Sequence, residues 1–66
     1  MKKFYLTYQD YRVLGSLMGE VQNLCNSLMS KKGCLTANDK EQRFILEGKF
    51  NEEDINNLKK YNWREL

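Results

Sequence analysis

The sequence contains no histidine and no proline, only two cysteines and one tryptophan, and no long apolar run. Without histidine the usual general base near neutral pH is missing, and so are most catalytic triads and the mixed Cys/His zinc patterns. Cys25 and Cys34 cannot build a disulfide framework. No stretch approaches the ~18 apolar residues of a membrane span. After the basic start Met1-Lys2-Lys3, the segment Phe4-Tyr5-Leu6-Thr7-Tyr8 is too short and too polar for a signal-peptide core. There is no phosphate loop, dinucleotide fingerprint or GxSxG elbow. Neither sign of charge dominates: 11 basic side chains face 9 acidic ones, for a net +2. That balance is too mild for a dedicated nucleic-acid surface. Together these absences predict a non-enzymatic protein without metal or cofactor, in the cytoplasm, with reduced thiols and no membrane association. The missing proline, beside plentiful Asn and Lys, points to an AT-rich coding sequence.

What is present is a signal that occurs twice. Phe4-Tyr5-Leu6 leads into Thr7-Tyr8-Gln9-Asp10 and then an apolar helical pattern. Phe44 to Phe50 leads into Asn51-Glu52-Glu53-Asp54 and a second helical pattern. Each passage reads as strand, N-cap, helix. Thr7 and Asn51 are cap residues whose side-chain oxygens accept from the third helical amide. Asp10 and Asp54 occupy that third position, where a carboxylate can reach back to the cap amide. Glu52 and Glu53 favour the positive end of the helix dipole. The acidic cluster is therefore read as a helix start rather than a cation site.

Between these signals, Tyr11, Leu14, Met18, Val21, Cys25 and Leu28 recur at steps of three and four, and Leu17, Leu24 and Met29 widen the stripe. The pattern predicts one helix from Tyr8 to Lys31, about 36 Å long at 1.5 Å per residue. It should end near Ser30 to Lys32 with lysines at its C-terminal dipole and Gly33 at C′. A strand of six residues covers only about 20 Å, so the helix should overhang its sheet and seek a partner. Gly15 and Gly19 inside the helix are read as points of close packing, and Cys25 on the apolar seam as a buried small hydrophobe. Gly33 to Thr36 is a short strand, Ala37 to Lys40 a turn, and Glu41 to Phe50 a strand paired with it as a hairpin.

The expected fold is a small single α+β domain over residues 1–66, β-α-β-β-α, with a three-stranded sheet and two helices on one face. Any parallel β-α-β crossover should be right-handed. A chain this short buries only about 60% of its unfolded surface, and self-association is the most economical extra support. Leu17, Leu24, Leu28 and Met29 are the expected oligomer interface, giving a homodimer or higher homo-oligomer. The expected function is protein binding, as an inhibitor or adaptor, of phage or mobile-element type, acting on a larger host or defence enzyme. Tyr61, Trp63 and Arg64 in the tail, with Tyr5, Ile45 and Lys49 on the exposed sheet face, are the candidate partner-binding residues. Trp63 has a competing role as a cap on the core. Two alternatives are carried: nucleic-acid binding, using Tyr5, Arg43, Ile45 and Lys49, and binding of a small ligand such as a nucleotide between subunits, near Gly15 and Gly19.

Overall fold

The computed structural model describes residues 1–31 and 33–66, and for Lys31 the backbone alone. The element order is β1 (Lys2–Thr7), α1 (Tyr8–Val13), a 3-10 turn (Gly15–Leu17), α2 (Met18–Lys31), β2 (Gly33–Asn38), β3 (Arg43–Gly48), α3 (Glu52–Lys60) and β4 (Arg64–Glu65). The sheet runs β2-β3-β1-β4 with every neighbouring pair antiparallel. β1 and β2 thus point the same way on either side of β3, joined by the helical crossover. β3 and β4 do the same on either side of β1, joined by α3. Two interleaved split β-α-β units of this kind make the ferredoxin-like topology. The expectation of three strands and two helices is corrected: the described residues form four strands and three helices.

The long first helix breaks at Gly15, which has φ +56°. This left-handed conformation is one that glycine adopts at little cost. α1 ends on Leu14, and the chain crosses Gly15–Leu17 in a 3-10 turn before α2 begins. α2, at 14 residues, spans about 21 Å. It matches the six-residue strands, so the expected overhang does not exist. The close-packing reading of Gly15 and Gly19 is also corrected: a Cβ at either would meet nothing within 4 Å. Gly33, unlike Gly15 and Gly19, packs tightly. It opens β2, and a Cβ there would lie 3.2 Å from the Glu47 carbonyl oxygen and 3.3 Å from that of Leu28. The expected helix end at Lys32 lies outside the described residues, as does the placement of the Lys31 and Lys32 side chains.

The fourth strand follows from how α3 stops. Asn62 takes φ 71°, a region in which Asn is enriched. The Trp63 amide donates to the Leu58 carbonyl (3.1 Å) and the Asn62 amide to that of Lys59 (3.2 Å). This is the Schellman pattern, with Trp63 meeting Leu58 as its apolar contact. The turn buries Trp63 and sends Arg64 and Glu65 back along β1, opposite Tyr5 and Phe4. The Leu66 amide extends that pairing by donating to the Lys3 carbonyl at 2.8 Å.

The β2–β3 connection also differs from expectation. β2 runs on to Asn38, and the turn falls at residues 39–42. The Asn38 side chain brackets Glu41, accepting from its amide (3.1 Å) and donating to its carboxylate (2.9 Å). Gln42 closes the turn at φ 57°.

The core lies on the helical side of the sheet. Phe4, Leu6 and Leu46 come from the strands, Val21, Cys25 and Leu28 from α2, and Leu58 from α3, with Phe50 and Trp63 sealing the ends. Tyr8 and Tyr11 of α1 both pack on Phe44, with ring centroids 4.8 and 5.4 Å apart. Among the described residues, the helices pack on this side alone, and no helix lies over the opposite face of the sheet.

Candidate functional site

Alternation along each strand decides what the uncovered face displays. Phe4, Leu6, Phe44 and Leu46 point to the core side, so Lys3, Tyr5 and Thr7 of β1 and Arg43, Ile45 and Glu47 of β3 point the other way. Cys34, Thr36 and Asn38 of β2 join them opposite Glu47, Ile45 and Arg43. Arg64 of β4 joins opposite Tyr5.

At the centre, Tyr5 and Ile45 stand directly across from one another, both half-buried, with Thr36 beyond Ile45. Charge surrounds them. Lys3 pairs with Glu47 at 3.3 Å. The Arg43 guanidinium lies 5.0 Å from the Tyr5 ring centroid, a cation–π contact, and pairs with Glu41 at 3.0 Å. Arg43 Nε is buried there without a hydrogen-bond partner. A shallow hollow of about 210 Å³ lies beside this centre, lined by Lys3, Cys34, Thr36, Ile45 and Glu47. Lys49 is exposed just past the end of β3.

The tail residues divide. Arg64 is exposed on β4, and Tyr61 is half-buried, donating to the Glu20 carboxylate at 3.3 Å. Trp63 is only 3% exposed and belongs to the core. Its indole Nε1 is buried without a partner. The tail and the sheet face therefore meet at Arg64, opposite Tyr5, while Trp63 faces the other side of the sheet.

The expected oligomer residues divide as well. Leu17 is 42% exposed, Leu24 and Met29 are half-buried, and Leu28 is in the core.

On the helical side, Leu6, Tyr11, Val21, Gln22, Cys25, Asn26, Leu35, Phe44 and Trp63 line an apolar hollow of about 290 Å³. Gln22 Nε2 donates to Tyr11 Oη at 2.7 Å, tying α1 to α2 beside it. Neither Gly15 nor Gly19 lines this hollow. Burial pushes the Cys25 thiol up to about 11, so it stays protonated and unreactive at neutral pH. Cys34 is exposed. Tyr8 donates to Asp39 at 2.6 Å, and that hydrogen bond is the main cause holding its phenol above the usual range.

Among the described residues, no group of three or more His, Cys, Asp or Glu side chains is placed to hold a metal ion. Glu52, Glu53 and Asp54 occupy the first turn of α3, where Asn51 and Asp54 form a reciprocal capping box. Among the described residues, no helix is long and apolar enough to cross a membrane. Sequence reasoning missed the bearing of β4 on the site. The signal was local: Asn62 at C′ followed by a large apolar residue. Comparison with protein-family models, with curated proteins and with solved structures finds no match for this chain.

Proposed function

We propose that this chain is a non-enzymatic protein-binding module that engages its partner through the open face of the sheet. One observation carries the reading. The face without helices has an apolar centre, Tyr5 and Ile45, inside a rim of Lys3, Glu47, Arg43 and Arg64. An apolar centre inside a polar rim is the anatomy of a protein interface. The antiparallel ladder fixes the backbone positions of these residues, and such preorganisation lowers the ordering cost of binding. A domain of this size with one bare face suits an inhibitor or adaptor that covers a site on a larger enzyme, and a phage or mobile-element setting fits that role. A cytoplasmic location belongs to the same proposal, since the free thiol of Cys34 is exposed and such thiols persist in reducing compartments. Self-association belongs to it too.

The test is paired affinity purification from the native host, with the wild type and with Ile45→Arg as baits. Ile45→Arg puts a charge in the apolar centre and leaves the core untouched. A partner held by the wild type and by Leu17→Ser, but lost with Ile45→Arg, is the expected result. Equal recovery with Ile45→Arg rejects this face as the binding surface.

The arrangement of charge favours one second reading. Lys3, Arg43 and Arg64 outnumber Glu47 on the face, and an aromatic ring lies among them. Single-stranded nucleic acid is bound by such combinations of cations and stacking rings. This reading expects a gel shift with single-stranded RNA or DNA at low salt that fades steeply as salt rises. No shift at low salt rejects it.

A further inference from the structure

The two edges of the sheet are unlike. β4 is two residues long and both are charged, Arg64 and Glu65, which protects that edge against pairing. β2 is six residues long, Gly-Cys-Leu-Thr-Ala-Asn, with no charged side chain and no proline. It pairs with β3 in unbroken register from Gly33 to Asn38, so no bulge twists it away. Among the described residues of β2, charge, proline and bulge, three of the usual devices that stop an edge from adding another strand, are all absent.

The ladder shows which groups of β2 remain open. The Tyr8 amide donates to the Gln42 carbonyl at 2.9 Å, one step beyond the β1–β3 register. In an antiparallel pair, hydrogen-bonded positions alternate. The bonded β1–β3 pairs are therefore Leu6–Phe44, Phe4–Leu46 and Lys2–Gly48. Arg43, Ile45 and Glu47 must bond on their other side, to Asn38, Thr36 and Cys34. The amides and carbonyls of Gly33, Leu35 and Ala37 then point outward.

These three residues are symmetric about Leu35. We infer that β2 is the seam of a homodimer, in which a two-fold axis at Leu35 pairs the strand antiparallel with β2 of a second copy. Gly33 meets Ala37 of the second copy, Leu35 meets Leu35, and Ala37 meets Gly33. Each pair exchanges both of its hydrogen bonds, so every outward group between Gly33 and Ala37 is satisfied. Side chains agree with the ladder. The half-buried Leu35, beside Leu46 on the core side, gains its own copy as cover. With no charge on β2, no like charges are opposed. On the open side Cys34 faces Thr36 of the second copy in a non-hydrogen-bonded pair, where Cα atoms approach to about 4.5 Å.

The occupant is a second copy because this register is self-complementary and closes on a two-fold, using both β2 edges at once. The charged β4 edges are left at the ends of one continuous sheet. This seam deepens the self-association part of the proposed function and is independent of what the open face binds.

The test uses the full chain. Thr36→Cys places a thiol opposite Cys34 of the second copy at a spacing that suits a disulfide. Oxidation with diamide should yield a covalent dimer on a non-reducing gel, well above the yield of the wild type, whose Cys34 thiols lie diagonally across the axis. Ala37→Pro removes one outward amide and leaves the bonds to β3 intact. Light scattering should fall from twice the chain mass of 7.9 kDa in the wild type to that mass in the variant, with circular dichroism reporting that it is folded. A wild type of 7.9 kDa at the highest attainable concentration overturns the inference. So does a folded Ala37→Pro variant that remains a dimer, and so does Thr36→Cys that fails to cross-link. If Ala37→Pro does not fold, the cross-linking result decides alone.

Discussion

Gly15 and Gly19 occupy one four-residue spacing, yet replacing each by alanine should move stability in opposite directions. Gly15 sits at φ +56° with open space around its Cβ position. The cost of Gly15→Ala is therefore conformational and not steric. A left-handed L-residue costs roughly 1–2 kcal/mol. Alanine also stiffens the unfolded chain, returning about 0.4–1 kcal/mol. The net loss is about 1 kcal/mol, and for a domain of this size that lowers Tm by about 4–8 °C. Gly19 lies in the first turn of α2, its φ is not left-handed, and nothing lies within 4 Å of its Cβ position. Gly19→Ala should gain about 0.5 kcal/mol from helix propensity and unfolded-state entropy, raising Tm by a few degrees. Gly15→Asn should lie between Gly15→Ala and the wild type, because Asn tolerates the left-handed region better. Far-UV circular dichroism melts of the three variants and the wild type give the comparison. In one unbroken helix from Tyr8 to Lys31, both alanines would stabilise. A Gly15→Ala variant that melts above the wild type would refute the broken helix and restore the overhang.

Other expectations concern the core and the caps. Trp63→Ala should cost about 3–5 kcal/mol in a domain whose whole stability is roughly 3–10 kcal/mol at 0.05–0.15 per residue, leaving little folded protein. Trp63→Phe loses about 40 Å³ of filling, about 1 kcal/mol, but removes an unpaired buried donor worth about 1–3 kcal/mol, so it should stay near the wild type. Urea titration followed by circular dichroism separates them, and equal losses for both would mean that the indole N–H is satisfied. Asn51→Ala removes an acceptor 2.8 Å from the Asp54 amide and half of the capping box. It should cost about 1 kcal/mol by the same titration, and an unchanged midpoint would contradict the cap. The thiols should differ in reactivity: a thiol reagent at pH 8 should label exposed Cys34 quickly and Cys25 only as fast as the fold opens. The raised Cys25 value means that its contribution to stability is complete below pH 9, the ordinary thiol value, and is lost as pH rises through about 11. Cys25→Ala should flatten that part of the stability profile relative to its own value at pH 8, and an unchanged slope would assign the alkaline loss to other groups.

The elements legible in the sequence are those whose causes are local. Thr7 accepts from the Asp10 amide at 3.1 Å, and Asn51 and Asp54 cap each other; both are written in four-residue words. At Thr7 only this half of the reciprocal pair forms among the described residues. Alternation over Phe44, Ile45 and Leu46 likewise placed Ile45 on the face away from the core with Tyr5. The helix break was hidden because the 3-10 turn is short enough to keep Tyr11, Leu14, Val21 and Cys25 against one core. The pattern of apolar residues continues although the helix does not. β4 was hidden because two charged residues carry no strand pattern, and their pairing with β1 goes together with the burial of Trp63 beside them. On the candidate site, local alternation identified the open-face residues, but only the tertiary arrangement separates Arg64 from Trp63. Edge and centre within the sheet were equally invisible. No local pattern says that β2 stands at an edge and β1 inside; the charges of Lys2 and Lys3 on β1, against none on β2, even suggest the reverse.

That last position has a kinetic consequence. β1 is made before the other elements of the sheet, yet it is an inner strand with neighbours on both sides. Its partners in β3 and β4 follow about 40 and 60 residues later, and closing loops of that length is what slows folding. Until then the apolar strand Phe4-Tyr5-Leu6 emerges with both edges open, and the helices made next have only half a floor to pack on. The fold therefore cannot grow outward from its N-terminal half. It has to wait for β3 to arrive between two strands already made, so this chain should complete its sheet in one late, cooperative step.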